Sequence, residues 1–119
     1  MIVDAVFRGG DKHSNHGDTV PKMITPMVGK IRKNYRKDVP IIIRMDSGFF
    51  DQKIFERCEQ LKIDYVCGGK MYNDIKAMVS QMDDGRWHRF CSHKKDAWEY
   101  FEYGSRRGNW KGFRRAVYC

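Results

Sequence analysis

Apolar residues fall at helical spacing over residues 20–35. Val20, Met23, Ile24, Met27, Val28, Ile31 and Tyr35 stand at i, i+3, i+4, i+7, i+8, i+11 and i+15, which is one stripe of an amphipathic helix. Asp18 or Thr19 is placed to cap its start. Pro26 falls inside the stripe and leaves two readings open: a kink, or a fresh start with Thr25 as N-cap and Pro26 at the first helical position. Lys30, Arg32, Lys33, Arg36 and Lys37 crowd the C-terminal half, where positive charge suits the helix dipole. The pattern then changes to a continuous apolar run, Val39-Pro40-Ile41-Ile42-Ile43, which suits a strand covered on both faces. Asp51 is placed to cap a second helix with Ile54, Phe55, Cys58 and Leu61 facing inward. Residues 63–67 read as another short strand, closed by Gly68-Gly69-Lys70. Asn73 is placed to cap a third helix carrying Ile75, Met78, Val79 and Met82. At the start of the chain, residues 2–7 are mostly apolar and β-prone and read as a strand. A polar loop rich in Gly, His, Ser and Asn follows over residues 8–17.

Strand and helix thus alternate three times, which predicts an α/β fold built from parallel β/α units. After Asp83-Asp84-Gly85 the character changes. Trp87-His88-Arg89-Phe90-Cys91, residues 98–103 and residues 113–119 read as antiparallel strands joined by polar turns at residues 92–96 and 104–109. The pattern therefore divides the chain into an α/β part over residues 1–82 and a β-rich part over residues 83–119. The chain starts almost inside its first strand and stops inside its last.

Composition narrows the class. The 119 residues suffice for a modest core, and 41% hydrophobic with 32% charged residues is ordinary for a globular chain. The charge is not balanced: 23 Lys and Arg against 15 Asp and Glu leave +8, a surplus that favours polyanions such as nucleic acid. Five of the basic residues (Arg106, Arg107, Lys111, Arg114 and Arg115) lie after Gly104 with no acidic residue among them. No apolar run approaches the ~20 residues of a membrane span, and the N-terminus lacks the pattern of a secretion signal. The four cysteines form no C-x-x-C pair, so reduced thiols and a cytoplasmic setting are expected.

The candidate chemistry centres on Asp46. It directly follows the run Val39-Pro40-Ile41-Ile42-Ile43-Arg44-Met45 and precedes Ser47-Gly48-Phe49-Phe50, where the strand gives way to a helix. Sites in α/β sheets gather at that edge, and a carboxylate there is a candidate ligand for a divalent metal. The alternative is a carboxylate that merely caps the turn. Lys70 emerges at the same edge and is a candidate for a phosphate contact. Gly68-Gly69-Lys70 lacks the full phosphate-loop pattern, so a tight turn is the better reading of those glycines.

Three blocks carry a family resemblance. They are Gly9-Gly10-Asp11-Lys12-His13-Ser14-Asn15-His16-Gly17, then Ile42-Ile43-Arg44-Met45-Asp46-Ser47-Gly48-Phe49-Phe50-Asp51, then Asp64-Tyr65-Val66-Cys67-Gly68-Gly69-Lys70. Together, in this order, they resemble bacterial insertion-sequence transposases of the DDE type, and residues 98–119 resemble that family's following β-rich stretch. The resemblance implies a partial ribonuclease-H-like catalytic core, residues 1–82, followed by the start of an antiparallel β-rich insertion segment, residues 83–119. It also implies DNA cleavage and strand transfer at insertion-sequence ends, with Mg²⁺ or Mn²⁺ held by Asp, Asp and Glu, DNA as the partner, and an oligomer of the intact transposase. Asp46 matches the family's second aspartate. The first aspartate and the glutamate have no counterpart here, so the chain resembles a central fragment. It is expected to be inactive alone and to hold no stable metal ion, because two-metal phosphoryl transfer needs ions ~3.5–4 Å apart and one aspartate does not hold both.

Further residues carry weaker readings. His13 and Asn15 lie in the polar loop, which the resemblance places near the active face and DNA phosphate; a plain surface loop is the alternative. Asp4 sits mid-strand, which disfavours it as a replacement for the missing aspartate. His13, His16, Cys91 and His93 lack the spacings of structural zinc sites. Arg106, Arg107, Lys111, Arg114 and Arg115, set among aromatics, suit phosphate contact and base stacking; a solvated charged sheet face is the alternative. The functional alternative to a transposase fragment is a small basic nucleic-acid-binding module without catalysis.

Overall fold

A computed structural model describes residues 18–93 and 96–119. The expected strand over residues 2–7 and the loop with Asp11, His13, Asn15 and His16 lie outside the described residues, as does Asp4. The chain divides into two compact units, Met1–Lys70 and Met71–Cys119.

In the first unit the stripe forms a single helix, α1 (Thr19–Asn34). Pro26 does not break it. The Thr25 hydroxyl donates to the Pro21 carbonyl at 2.8 Å, so Thr25 is a helical residue and not a new N-cap. Ile24 and Val28, one on each side of Pro26, are buried and hold that stretch against the core. Burial ends there: Ile31 and Tyr35, the last members of the stripe, are exposed. Asp18 occupies the N-cap position, but with a left-handed φ of 54° and no side-chain cap. Its carboxylate instead pairs with Lys53 Nζ at 3.0 Å, linking α1 to the next helix.

Strand β1 (Ile42–Met45) leads through a 3-10 turn, Ser47–Phe49, into α2 (Gln52–Gln60), and β2 (Asp64–Cys67) returns parallel to β1. Asp51 caps α2 as its position suggested, accepting from the Lys53 N–H at 2.7 Å. The far end of α2 closes with Ile63 N–H donating to the Cys58 carbonyl and Lys62 N–H to the Glu59 carbonyl. This double bond pattern normally recruits glycine at the left-handed position. Here Lys62 fills it, with φ 52°. Arg32 reaches from α1 to donate to the Lys62 carbonyl at 3.2 Å and ties the turn down.

The core of this unit gathers Ile24, Val28, Ile54, Cys58 and Ile63, with Ile43, Met45 and Tyr65 packed against it from one face of the sheet. The opposite face is open. Ile42 and Val66 are 67% and 61% exposed, beside Arg44 and Asp64. The apolar run therefore does not mark a strand covered on both faces. Three isoleucines in succession supply side chains to both faces, but only Ile41 and Ile43 find partners in the core.

In the second unit α3 (Asn73–Ser80) is followed by an antiparallel sheet of β3 (His88–Cys91), β4 (Ala97–Ser105) and β5 (Arg114–Tyr118) in the order β3-β4-β5. Tyr72, not Asn73, takes the N-cap position of α3, without a side-chain hydrogen bond. The side chain of Phe101 is buried on one face of the sheet, with Trp87 edge-on at 5.1 Å and Tyr118 stacked at 5.4 Å. The other face carries Phe90, Trp98, Val117 and Arg115, all exposed. Phe90 and Trp98 are cross-strand partners with rings nearly parallel at 6.1 Å.

Candidate functional site

Because β1 and β2 run parallel and in register, Met45 lies opposite Cys67, and the residues that follow both strands leave by one edge. Asp46 and Lys70 both lie just beyond it. The Asp46 backbone is extended, with φ −84° and ψ 177°. Its carboxylate turns back to accept the Gly48 N–H at 2.9 Å, and its carbonyl accepts the Phe49 N–H at 3.1 Å. Those two bonds build the 3-10 turn. Asp46 thus caps the turn and also presents an exposed carboxylate at the strand end. The two readings of this residue are compatible.

The neighbouring strand holds the peptides before and after Asp46. Gly68 N–H donates to the Met45 carbonyl at 3.0 Å, and the Cys67 thiol donates to the Asp46 carbonyl at 3.3 Å. Partial burial pushes the Cys67 thiol pKa up, the negative charge of Asp46 adds to that, and Lys70 opposes it. Asp46, Cys67 and Lys70 therefore share one electrostatic neighbourhood. The sequence marks Gly68 as a turn residue and says nothing of Cys67 at this edge. The signal was weak but present, since parallel pairing of two short strands sets their ends side by side.

Among the described residues, Asp46 stands without the further donors a metal ion takes. Asp46 supplies the hard oxygen that Mg²⁺ or Mn²⁺ takes. Asp51, the nearest carboxylate in sequence, is committed to capping α2. Among the described residues no group of three or more His, Cys, Asp or Glu could hold a metal ion. These residues do not make a two-ion site.

The basic cluster is divided between the connection that follows β4, with Arg106, Arg107 and Lys111, and the two faces of β5, with Arg114 and Arg115. In the second unit Arg107 donates to Asp74 Oδ2 at 2.8 Å and lies 3.8 Å over the Tyr72 ring. Arg106 Nε donates to the Trp110 carbonyl at 3.2 Å. Arg114 lies 4.8 Å over the buried Trp110 ring, whereas Arg115, on the opposite face, makes a two-pronged pair with Glu102. These bonds hold the carboxyls of Asp74 and Glu102 below the usual carboxylate range. Lys111 is exposed in the connection between β4 and β5. His13 and Asn15 fall outside the described residues.

A parallel β-α-β unit with a carboxylate at its C-terminal edge, and a separate antiparallel sheet after it, define a mixed α/β chain of the kind in which ligand sites lie at the strand ends. The family model for the transposase DDE domain, group 1, matches residues 1–118, and the chain belongs to that family. No curated protein and no solved structure matches it. No helix among the described residues is long and apolar enough to cross a membrane.

Proposed function

We propose that this chain is the central part of an insertion-sequence transposase, with a partial ribonuclease-H-like core, in which Asp46 is one of three metal-binding carboxylates. The observation that carries this is the placement of Asp46: an exposed carboxylate immediately after β1, in the block that carries the family resemblance. The reaction of the whole enzyme is cleavage and transfer of DNA strands, for which bound Mg²⁺ or Mn²⁺ supplies charge neutralisation and an activated oxygen nucleophile. This chain's own part is to hold one oxygen donor at a fixed place and to bind the DNA backbone. Lys70 stands at the Asp46 edge for such a contact. Arg106, Arg107, Lys111, Arg114 and Arg115 furnish a second basic surface. The exposed pair of Arg115 with Glu102 leaves that side chain available, because such a pair adds little stability and gives way to phosphate, whereas Arg107 is half-buried between Asp74 and the Tyr72 ring.

One carboxylate does not hold two ions, so the chain by itself is expected to bind DNA without cutting it. The test incubates the purified chain with Mg²⁺ and end-labelled DNA, beside Asp46→Ala. DNA binding without cleavage is the expected result. Mg²⁺-dependent cleavage that disappears in Asp46→Ala would overturn the proposed incompleteness while upholding Asp46. A second reading, a basic module that binds nucleic acid without any catalytic descent, draws on the exposed Phe90 and Trp98, which share a sheet face with Arg115. The readings part when the chain is extended by its flanking coding sequence: only a transposase gains metal-dependent, Asp46-dependent cleavage.

A further inference from the structure

We infer that the Cys67-Gly68 step is a positioning element that fixes the Asp46 carboxylate by clasping the peptide bond between Asp46 and Ser47. The inference rests on the reading of Asp46 as the functional carboxylate. Its basis is an approach at Gly68 so close that any Cβ there would push on the neighbouring backbone. A Cβ built on Gly68 would lie 3.0 Å from the Ser47 nitrogen, 3.4 Å from the Asp46 carbonyl carbon and 3.5 Å from the Ser47 Cα. All three are backbone atoms, so no side-chain rotation relieves the contact. The one peptide that must yield is the one that sets the direction of the Asp46 side chain and starts the turn to Gly48.

Three hydrogen bonds hold the same place. Gly68 N–H binds the Met45 carbonyl, the Cys67 thiol binds the Asp46 carbonyl, and the Asp46 carboxylate binds the Gly48 N–H. The first two come from the end of β2 and the third closes the turn. The carboxylate is therefore located by the neighbouring strand as much as by its own. A loosely held acid on a surface turn would sample many rotamers, whereas a reacting geometry needs placement to within about 0.5 Å. Gly69 provides an internal contrast, since a Cβ there meets nothing within 4 Å. Two adjacent glycines thus stand in opposite surroundings: one sits against the Asp46 peptide, and the other faces open space.

The experiment compares Gly68→Ala with Gly69→Ala in the whole chain by amide NMR and hydrogen exchange, with Mn²⁺ as a paramagnetic probe. Gly68→Ala is expected to shift the Ser47 and Gly48 amide resonances and to speed Gly48 exchange by about tenfold, the scale of one lost hydrogen bond. Gly69→Ala is expected to leave both near the unmodified chain. Coincident spectra for the two variants would overturn the inference. If Gly68→Ala does not give a folded spectrum, the thiol decides. Cys67→Ala should move the Asp46, Ser47 and Gly48 amides, and Cys67→Ser, which keeps a donor, should restore them. An unmoved Cys67→Ala spectrum would again overturn it. Mn²⁺ in large excess, where even a weakly held ion broadens nearby lines, tests the underlying reading separately: broadening centred on Asp46 and abolished by Asp46→Asn upholds it, and broadening centred elsewhere and unchanged in Asp46→Asn removes the reading on which the inference rests.

Discussion

Lys62 carries a cost that glycine would avoid. It holds a left-handed backbone at φ 52° in the turn between α2 and β2. That conformation disfavours a residue with a Cβ by roughly 1–2 kcal/mol, partly offset by the greater freedom glycine has when unfolded. The interaction that Arg32 makes there is with the backbone carbonyl, so it survives the change. Lys62→Gly should stabilise the first unit by up to about 1 kcal/mol, read as a higher urea midpoint with an unchanged slope. Asp51→Ala should act the opposite way, costing about 1 kcal/mol through loss of the α2 cap. Asp51 was legible in sequence because a carboxylate before a helical stripe has few other local uses. Lys62 was not, because nothing in a lysine announces a positive φ. Asp18 is a mixed case. Its position at the helix start was evident, but its side chain is taken by Lys53, a partner 35 residues away.

At the scale of elements, helical period and strand alternation were the reliable signals. α1, α2 and the three antiparallel strands stand close to where those patterns put them. What the patterns did not carry was which faces find partners. Ile31 and Tyr35 continue the α1 stripe in sequence but extend beyond the core that covers Ile24 and Val28. Likewise Ile42 resembles Ile43 in every local respect, and only the packing of helices on one side of the sheet separates them. Pro26 offers a direct test of how firmly the core dictates α1. It is exposed and interior to the helix, where proline is about 3 kcal/mol less favourable than alanine. Pro26→Ala should therefore raise the stability of the first unit by about 1–3 kcal/mol in a denaturant titration. In the second unit, Arg107 and Arg115 hold Asp74 and Glu102 below the usual carboxylate range. A depressed carboxyl contributes stability that is complete above its unfolded pKa and lost as pH falls through the folded one. Acidification below about 4 should thus weaken this unit, and Asp74→Asn with Glu102→Gln should flatten that loss in a thermal melt followed against pH.

For the whole molecule, the +8 charge predicts an affinity for DNA that falls steeply with salt. Each phosphate contact contributes about −0.9 to the slope of log affinity against log salt for duplex DNA. Lys111→Ala should reduce the magnitude of that slope by about 1, and a slope indifferent to salt would remove the basic surface from the binding account. The family was legible because the motif blocks stand in a recognisable order along the chain. The hold of β2 on Asp46 was not, since it depends on which strand lies alongside β1. The cysteines, distributed very differently in depth, have a practical consequence. Cys58 is fully enclosed in the first unit's core, and burial raises its pKa further, while Cys91 and Cys119 lie in the open. A thiol-alkylating dye should therefore label the chain in stages, with the surface sulfurs reacting at once. Modification of Cys58 must wait for the core around Ile54 and Ile63 to part. The lag before that last label measures how often the native unit opens, without any engineered probe.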